Sequence, residues 1–222
     1  MRFPKTFACL LLCVPLLASC AEDAINAYKP VQQAEEPQAE ADAQAMPAVS
    51  AATEPRSPYA EEELPKPARE PDVIYVPTPQ PVVDAMLKLA RVNEHDVLYD
   101  LGSGDGRIPV TAAREFGIRA VGIDINPVRI REANANAQRA GVTDLVSFRE
   151  EDLFEADISE ATVVTLYLLQ SLNVKLRPKL LSELRPGTRI VSHAFDMANE
   201  WEPEQTQQVG DSTIYLWTVP ER

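Results

Sequence analysis

The stretch that decides the fold is Val97-Leu98-Tyr99-Asp100-Leu101-Gly102-Ser103-Gly104-Asp105-Gly106-Arg107-Ile108. An apolar strand runs into a glycine-rich turn, and the turn opens a helix. Glycine has no Cβ and takes positive φ at little cost, so Gly102, Gly104 and Gly106 let the backbone amides of the bend approach a ligand. Asp105 is placed to cap the helix. Pro109 falls in the first helical turn, where its missing N–H matters least. This strand–turn–helix context separates a nucleotide-type site from a chance cluster of glycines.

Outward from this stretch, strand and helix patterns alternate. Upstream, Asp72-Val73-Ile74-Tyr75-Val76-Pro77-Thr78-Pro79 opens the folded region. Thr78 reads as an N-cap and Pro79 as the first helical residue. Val82, Val83, Met86, Leu87 and Ala90 recur at helical spacing, and this helix is expected to end near Arg91. Downstream of the bend, a helix runs to Phe116 and stops at Gly117. A second strand spans 120–125, and Asn126-Pro127 starts a helix that ends at Gly141. The third strand is 146–149. The fourth, 162–168, is apolar on both faces, as in the centre of a parallel sheet. A helix broken at Pro178 follows, then a fifth strand over 189–195. The tail reads as a hairpin, 207–209 and 213–219, turning at Gly210-Asp211. The pattern predicts an α/β fold with a doubly wound, mostly parallel seven-strand sheet and a C-terminal antiparallel hairpin.

In such a sheet, ligands lie beyond the carboxyl ends of the strands. Asp100 ends the first strand. Asp124 ends the second, about twenty residues past the glycine bend, where a carboxylate accepts hydrogen bonds from ribose hydroxyls. Asp152 follows the third strand and is placed to meet an exocyclic base amine. A dinucleotide site carries G-x-G-x-x-G and offers a bare helix N-terminus to pyrophosphate. Here the run is G-S-G-D-G-R: Arg107 stands at the third glycine, and Asp105 repels phosphate. A nicotinamide oxidoreductase is therefore disfavoured. A carboxylate-rich pocket suits a ligand without phosphate that carries an ammonium and a sulfonium.

At these residues the chain resembles class I S-adenosylmethionine-dependent methyltransferases, with their Rossmann-like fold. Tyr99-Asp100-Leu101-Gly102-Ser103-Gly104-Asp105-Gly106 looks like their motif I. Asp124, followed by Ile125, matches their ribose-binding acidic position. Asp152-Leu153 matches the position that flanks adenine. Val76-Pro77-Thr78 with the D-L-G-S-G-D-G-R-I run is also similar to a smaller group. That group comprises bacterial methyltransferase-domain proteins and, more distantly, the protein-lysine methyltransferases that modify an ATP-synthase membrane subunit in mitochondria. In that group the Pro-Thr segment lies over the cofactor, which implies that Tyr75 and Thr78 line the pocket. The resemblance implies S-adenosyl-L-methionine as cofactor and a protein lysine or other amine as acceptor. Enzymes that methylate base amines or glutamine carry Asn/Asp-Pro-Pro-aromatic after the fourth strand. This chain has Leu166-Tyr167-Leu168-Leu169-Gln170, which disfavours those acceptors. Gln170 stands where the bacterial relatives often have proline.

No catalytic residue and no metal ligand is assigned. Tyr167 reads as core or cofactor wall, His193 as a satisfied core histidine in mid-strand, and Trp201 and Trp217 as packing. Asp196 suits either a turn cap or the orientation of a substrate amine.

The N-terminus has a different character. Arg2 and Lys5 precede an apolar run from Phe7 to Leu17 that contains Pro15, too short to span a bilayer comfortably. It reads as an export signal over residues 1–20. Its end, Leu17-Ala18-Ser19-Cys20, resembles the bacterial lipobox, which implies lipidation at Cys20. Several acyl chains hold durably where one is marginal. Ala21 lacks the aspartate that retains such proteins in the inner membrane, which implies the outer membrane, facing the periplasm. All three cysteines, Cys9, Cys13 and Cys20, lie in this segment, so the folded part has no disulfide, thiolate site or cysteine nucleophile.

Residues 21–70 are rich in Ala, Glu, Gln and Pro and carry eleven acidic and four basic side chains. They bury too little to offset chain entropy and read as a disordered tether with a mean reach of about 40 Å. The methyltransferase-like domain is expected over 71–222. The formal net charge of -13 argues against a nucleic-acid partner. The membrane is reached through the lipid anchor, and a monomer is expected. Two function classes remain. One is a methyltransferase. The other is a membrane-tethered, non-catalytic domain that binds or scaffolds, motivated by location: S-adenosylmethionine is made in the cytoplasm.

Overall fold

The computed structural model describes residue 70 and residues 72–222. The export signal, Cys20 and nearly all of the tether lie outside the described residues. The elements are α1 (Gln80–Leu89), β1 (Val97–Leu101), α2 (Arg107–Phe116), β2 (Arg119–Asp124), α3 (Pro127–Ala140), β3 (Val146–Glu150), β4 (Val163–Leu166), α4 (Gln170–Glu183), β5 (Arg189–His193), β6 (Gln205–Val209) and β7 (Ser212–Thr218). They build a seven-strand sheet in the order β3-β2-β1-β4-β5-β7-β6. β1 to β5 run parallel, and β7 pairs antiparallel with both β5 and β6. Strand order reverses between β1 and β4, so the crevice for a ligand opens at the upper ends of those two strands.

Side chains alternate across the sheet, as strand geometry requires. Tyr99, Leu101, Val164, Leu166 and Trp217 face a core that takes in Leu176 and Leu180 of α4. Leu98, Val163, Val191 and Ile214 face the other, with Val83 and Met86 of α1 and Ile108 of α2. Trp217 is fully buried, and its Nε1 donates to the Trp201 carbonyl at 2.9 Å. Both tryptophans are packing residues.

The lower ends of the strands are tied by one carboxylate. Asp96 Oδ1 accepts from Thr162 Oγ1 at 2.7 Å and from Arg189 Nη2 at 2.5 Å. Its Oδ2 accepts from the Asn93 amide and side chain, both at 2.9 Å. The entries to β1, β4 and β5 thus converge on a single buried acid.

Four expectations differ from the structure. Thr78 does not cap α1: Pro79 occupies the N-cap, with no side-chain bond, because the Thr78 hydroxyl is engaged elsewhere. Gly106, not Asp105, is the N-cap of α2. The helix expected to break at Pro178 runs unbroken as α4. Pro178 is exposed, so losing its N–H costs little, while buried Asn173, Leu176 and Leu180 hold the helix to the sheet. β4 and β5 stop earlier than expected, so Tyr167, Leu168 and Phe195 lie beyond the strand ends and His193 is a last strand residue, not a mid-strand one.

Removing the lower tie should loosen the fold without touching the crevice. Asp96→Ala is expected to cost about 3 kcal/mol, because it leaves Arg189 unpaired. Urea denaturation of the two proteins measures it.

Candidate cofactor pocket and active site

The glycine bend is fastened to the end of β2. The amides of Gly102 and Ser103 both donate to the Ile123 carbonyl, at 2.8 and 2.9 Å. The Gly104 amide donates to Asp124 Oδ2 at 2.8 Å. These three amides, expected to meet a ligand, are therefore spent inside the fold. Gly106 has a packing task as well. It sits at φ 74°, and a Cβ there would lie 2.5 Å from the Phe148 ring and 2.8 Å from Ala133. At Gly104, φ 52°, a Cβ would lie 2.3 Å from the Tyr75 ring. Gly104 thus serves contact with the chain's own Tyr75.

Asp100, Asp105 and Asp124 line the pocket. Asp124 Oδ1 accepts the Asn126 amide at 2.8 Å, so each oxygen holds one N–H bond and keeps a lone pair for a hydroxyl. Burial raises its carboxyl above the ordinary range, against the two N–H bonds and Arg129. Asp100 is buried at the tip of β1. Burial pushes its carboxyl from 3.8 up to about 7, with the Asp124 and Asp105 charges adding and the Thr165 hydroxyl, donating at 2.7 Å, opposing. Asp105 behaves differently. Burial would raise it, but Arg107 binds it through Nε at 2.9 Å and Nη2 at 2.7 Å and holds it below the usual range. Its Oδ1 still accepts the Arg107 amide, at 3.3 Å.

Residues 72–78 form a strap along the pocket. Arg107 Nη1 donates to the Thr78 carbonyl at 2.8 Å. Thr78 Oγ1 meets His193 Nδ1 at 3.3 Å, and His193 Nε2 meets Ser212 Oγ at 3.1 Å. Burial lowers the His193 pKa, which keeps the ring neutral between its two hydroxyl partners. Arg129 lies 4.6 Å over the Tyr75 ring. The exposed large apolar residues of the described chain are Ile74, Tyr75, Val76 and Leu169. The first three border the pocket, and Leu169 adjoins Leu168 on its wall.

The pocket brings together Tyr75, Thr78, Asp100, Gly102, Ser103, Asp124, Ile125, Asp152 and Leu153. Gly104 stands behind Tyr75. Asp152 Oδ1 accepts the Phe154 amide at 3.0 Å, which shapes the turn after β3. Tyr167 forms wall, as expected, with its ring centroid 3.9 Å from that of His193. Sequence reasoning missed Arg129, Phe154 and Leu172. Their sequence surroundings carry no motif, and only the fold brings Arg129 to Tyr75.

S-adenosylmethionine fits these residues. Ser103 Oγ is buried at the pocket edge with no hydrogen-bond partner among the described residues. Buried Asp100 and half-buried Asp124 offer carboxylates to a cationic ligand. The spent amides and Asp105 give pyrophosphate no cradle.

A family model described as the ANTKMT methyltransferase domain matches residues 100–205. A protein-lysine N-methyltransferase of Saccharolobus islandicus strain REY15A is 51% identical over 156 residues, covering 68% of this chain and 96% of that protein. The chain belongs to this methyltransferase family. The adenine nucleotide translocase lysine N-methyltransferase of Mus musculus is 36% identical over 65% of this chain, which spans 62% of that protein's length. The crystal structure of a Salinibacter ruber protein described as an RNA methyltransferase, bound to S-adenosyl-L-homocysteine, is 62% identical. It covers 66% of this chain and 95% of its own, with a TM-score of 0.65. The methyltransferase therefore uses S-adenosylmethionine.

Asp100 gives the ligand-free methyltransferase a pH signature. Its folded pKa is above its unfolded one, so its contribution to stability is complete below about pH 4 and is lost as pH rises to about 7. Asp100→Asn mimics the neutral acid. The melting temperature of the variant minus that of wild type should rise from about pH 4 to about pH 7 and level off above it, while cofactor affinity falls. Thermal melts across pH, with calorimetry, check both.

Proposed function

We propose that this methyltransferase transfers a methyl group to the amine of a protein lysine. The observation that carries this reading is the acid-lined pocket, with Asp100 and Asp124 at adjacent strand tips, in a chain 51% identical to a protein-lysine N-methyltransferase. When bound, the cofactor supplies an electrophilic methyl on a sulfonium. Asp124 would hold the ribose hydroxyls, and Asp100 would face the ammonium. Ser103 would fill its open hydrogen bond on the ligand. Asp152, Ile125 and Leu153 would flank the base. Tyr75 and Thr78 close the pocket from the strap side, and Tyr167, Leu168 and Leu172 wall it with mostly apolar surface. The protein's contribution is alignment of nucleophile and methyl, which supplies several kcal/mol.

An RNA acceptor is the second reading, favoured by the description of the Salinibacter ruber relative. The net charge of -13 works against it, since no phosphate counterions would be released on a surface of that sign. The fold and relatives favour turnover over a non-catalytic scaffold. For location, we propose export and a lipid anchor at Cys20. The basic start, the apolar run and Leu17-Ala18-Ser19-Cys20 support it.

Incubation of a cell-envelope extract and total RNA with radiolabelled S-adenosylmethionine separates the acceptors. Label is expected in protein, as methyl-lysine after hydrolysis; label in RNA alone would overturn the lysine reading. Asp124→Ala should weaken S-adenosylhomocysteine binding at least tenfold by calorimetry. Cys20→Ser should move the protein from the membrane pellet to the soluble fraction.

A further inference from the structure

Beyond Tyr167, the strand ends carry a second constellation, Gln170, Phe195 and Asp196, outside the residues that line the pocket. The chain leaving β5 turns through residues 194–198. Two non-glycine residues there take left-handed backbone, Ala194 at φ 64° and Ala198 at φ 50°. Such conformations are costly and persist only where surrounding contacts fix them. The contacts here are specific. Asn173 of α4 is fully buried and donates through Nδ2 to the carbonyls of Phe195 at 3.0 Å and Asp196 at 3.3 Å. The Ser192 hydroxyl donates to the Phe195 carbonyl at 2.6 Å. The Ala194 amide is held by the Thr213 carbonyl at 2.8 Å.

This turn fixes two side chains beside the pocket wall. The Phe195 ring stacks 6.5 Å from the Tyr167 ring, which lines the pocket. Asp196 Oδ1 accepts from Gln170 Nε2 at 2.5 Å and from the Ala198 amide at 2.9 Å. Both bonds fall on the same oxygen. Oδ2 has no hydrogen-bond partner, and the carboxylate no cation, among the described residues. Gln170 opens α4 immediately after Leu169, which is exposed. A half-buried carboxylate is thus aimed by a side-chain amide, with one oxygen left open, next to the aromatic wall.

We propose that Asp196, oriented by Gln170, receives the cationic form of the acceptor amine and sets the enzyme's preference for a positively charged side chain. This rests on the amine reading above. A lysine reaches the mouth as an ammonium, because its pKa of about 10.4 keeps it protonated at neutral pH. An ammonium needs hydrogen-bond acceptors as it leaves water, and a carboxylate supplies the strongest. Oδ2 provides that acceptor, while the Phe195 and Tyr167 rings border the methylene stem. Asp196 is a recognition group in this account, and the proton departs to solvent.

The test uses the full chain, tetralysine as acceptor and radiolabelled S-adenosylmethionine. Asp196→Asn keeps Oδ1 for Gln170 and the Ala198 amide, and replaces the charge and the open Oδ2 acceptor with an NH2 donor. It is expected to raise KM for tetralysine about tenfold, the loss of one hydrogen bond to a charged group, with kcat within about twofold. S-adenosylhomocysteine affinity, measured by calorimetry, should stay unchanged. Gln170→Ala should raise KM about threefold, and Asp144→Asn, an exposed charge in the loop before β3, should not change it. An unchanged KM in Asp196→Asn overturns the proposal. So does a fall in kcat together with weakened S-adenosylhomocysteine binding, which would mark Asp196 as a structural turn residue. If wild type labels neither tetralysine nor any envelope protein, the amine reading fails, and the proposal with it.

Discussion

One carbonyl and one carboxylate at the end of β2 hold the glycine bend in place. Ile123 offers its carbonyl to two successive amides, and Asp124 offers an oxygen to the third. Everything around the crevice follows from that fastening. It sets where α2 begins, so that Gly106 can come against Phe148 and Ala133. It also ties the bend to the acid at the tip of the neighbouring strand, so neither moves without the other. Preorganisation at this end of the sheet is thus built into backbone hydrogen bonding, and flexible side chains are not asked to supply it.

The same fastening decides what the crevice accepts. A phosphate ligand needs free amides at a helix N-terminus, and here the amides of the bend are occupied. A buried carboxylate, by contrast, is costly until a positive charge arrives. Asp100 illustrates the cost: with no cation beside it among the described residues, burial holds its pKa near neutrality. Arg107 does not relieve it, because its guanidinium is committed to Asp105 and to the strap. A cationic nucleoside supplies the missing partner. Selectivity arises as much from groups that are already engaged as from groups left open.

Much of this architecture was legible from residue order. Alternating apolar runs gave seven strands and their directions. The spacing from the bend placed Asp124 at the tip of β2, on the pocket. Local signals failed where a long-range partner outbid them. Thr78 has the side chain of a helix cap, yet its hydroxyl meets His193 and its carbonyl meets Arg107, neither of them near in sequence. Asp105 has the side chain of a cap too, but the charge of Arg107 beside it is the stronger attraction, and Gly106 takes the cap position. Pro178 reads as a helix breaker, and tertiary packing of Leu176 and Leu180 overrides it. The grip of Asn173 on the turn after β5 has no local signature at all, since donor and acceptors meet only through packing.

The knot of Asp96, Thr162 and Arg189 lies at the opposite end of the strands from the crevice. Cohesion and chemistry are therefore housed at separate poles of one sheet. The segments above β4 and β5 can drift in sequence without dissolving the scaffold beneath them. A scaffold of this kind can exchange one acceptor for another through a handful of rim substitutions, so divergence among its descendants should concentrate in those upper connections while the lower pole stays put.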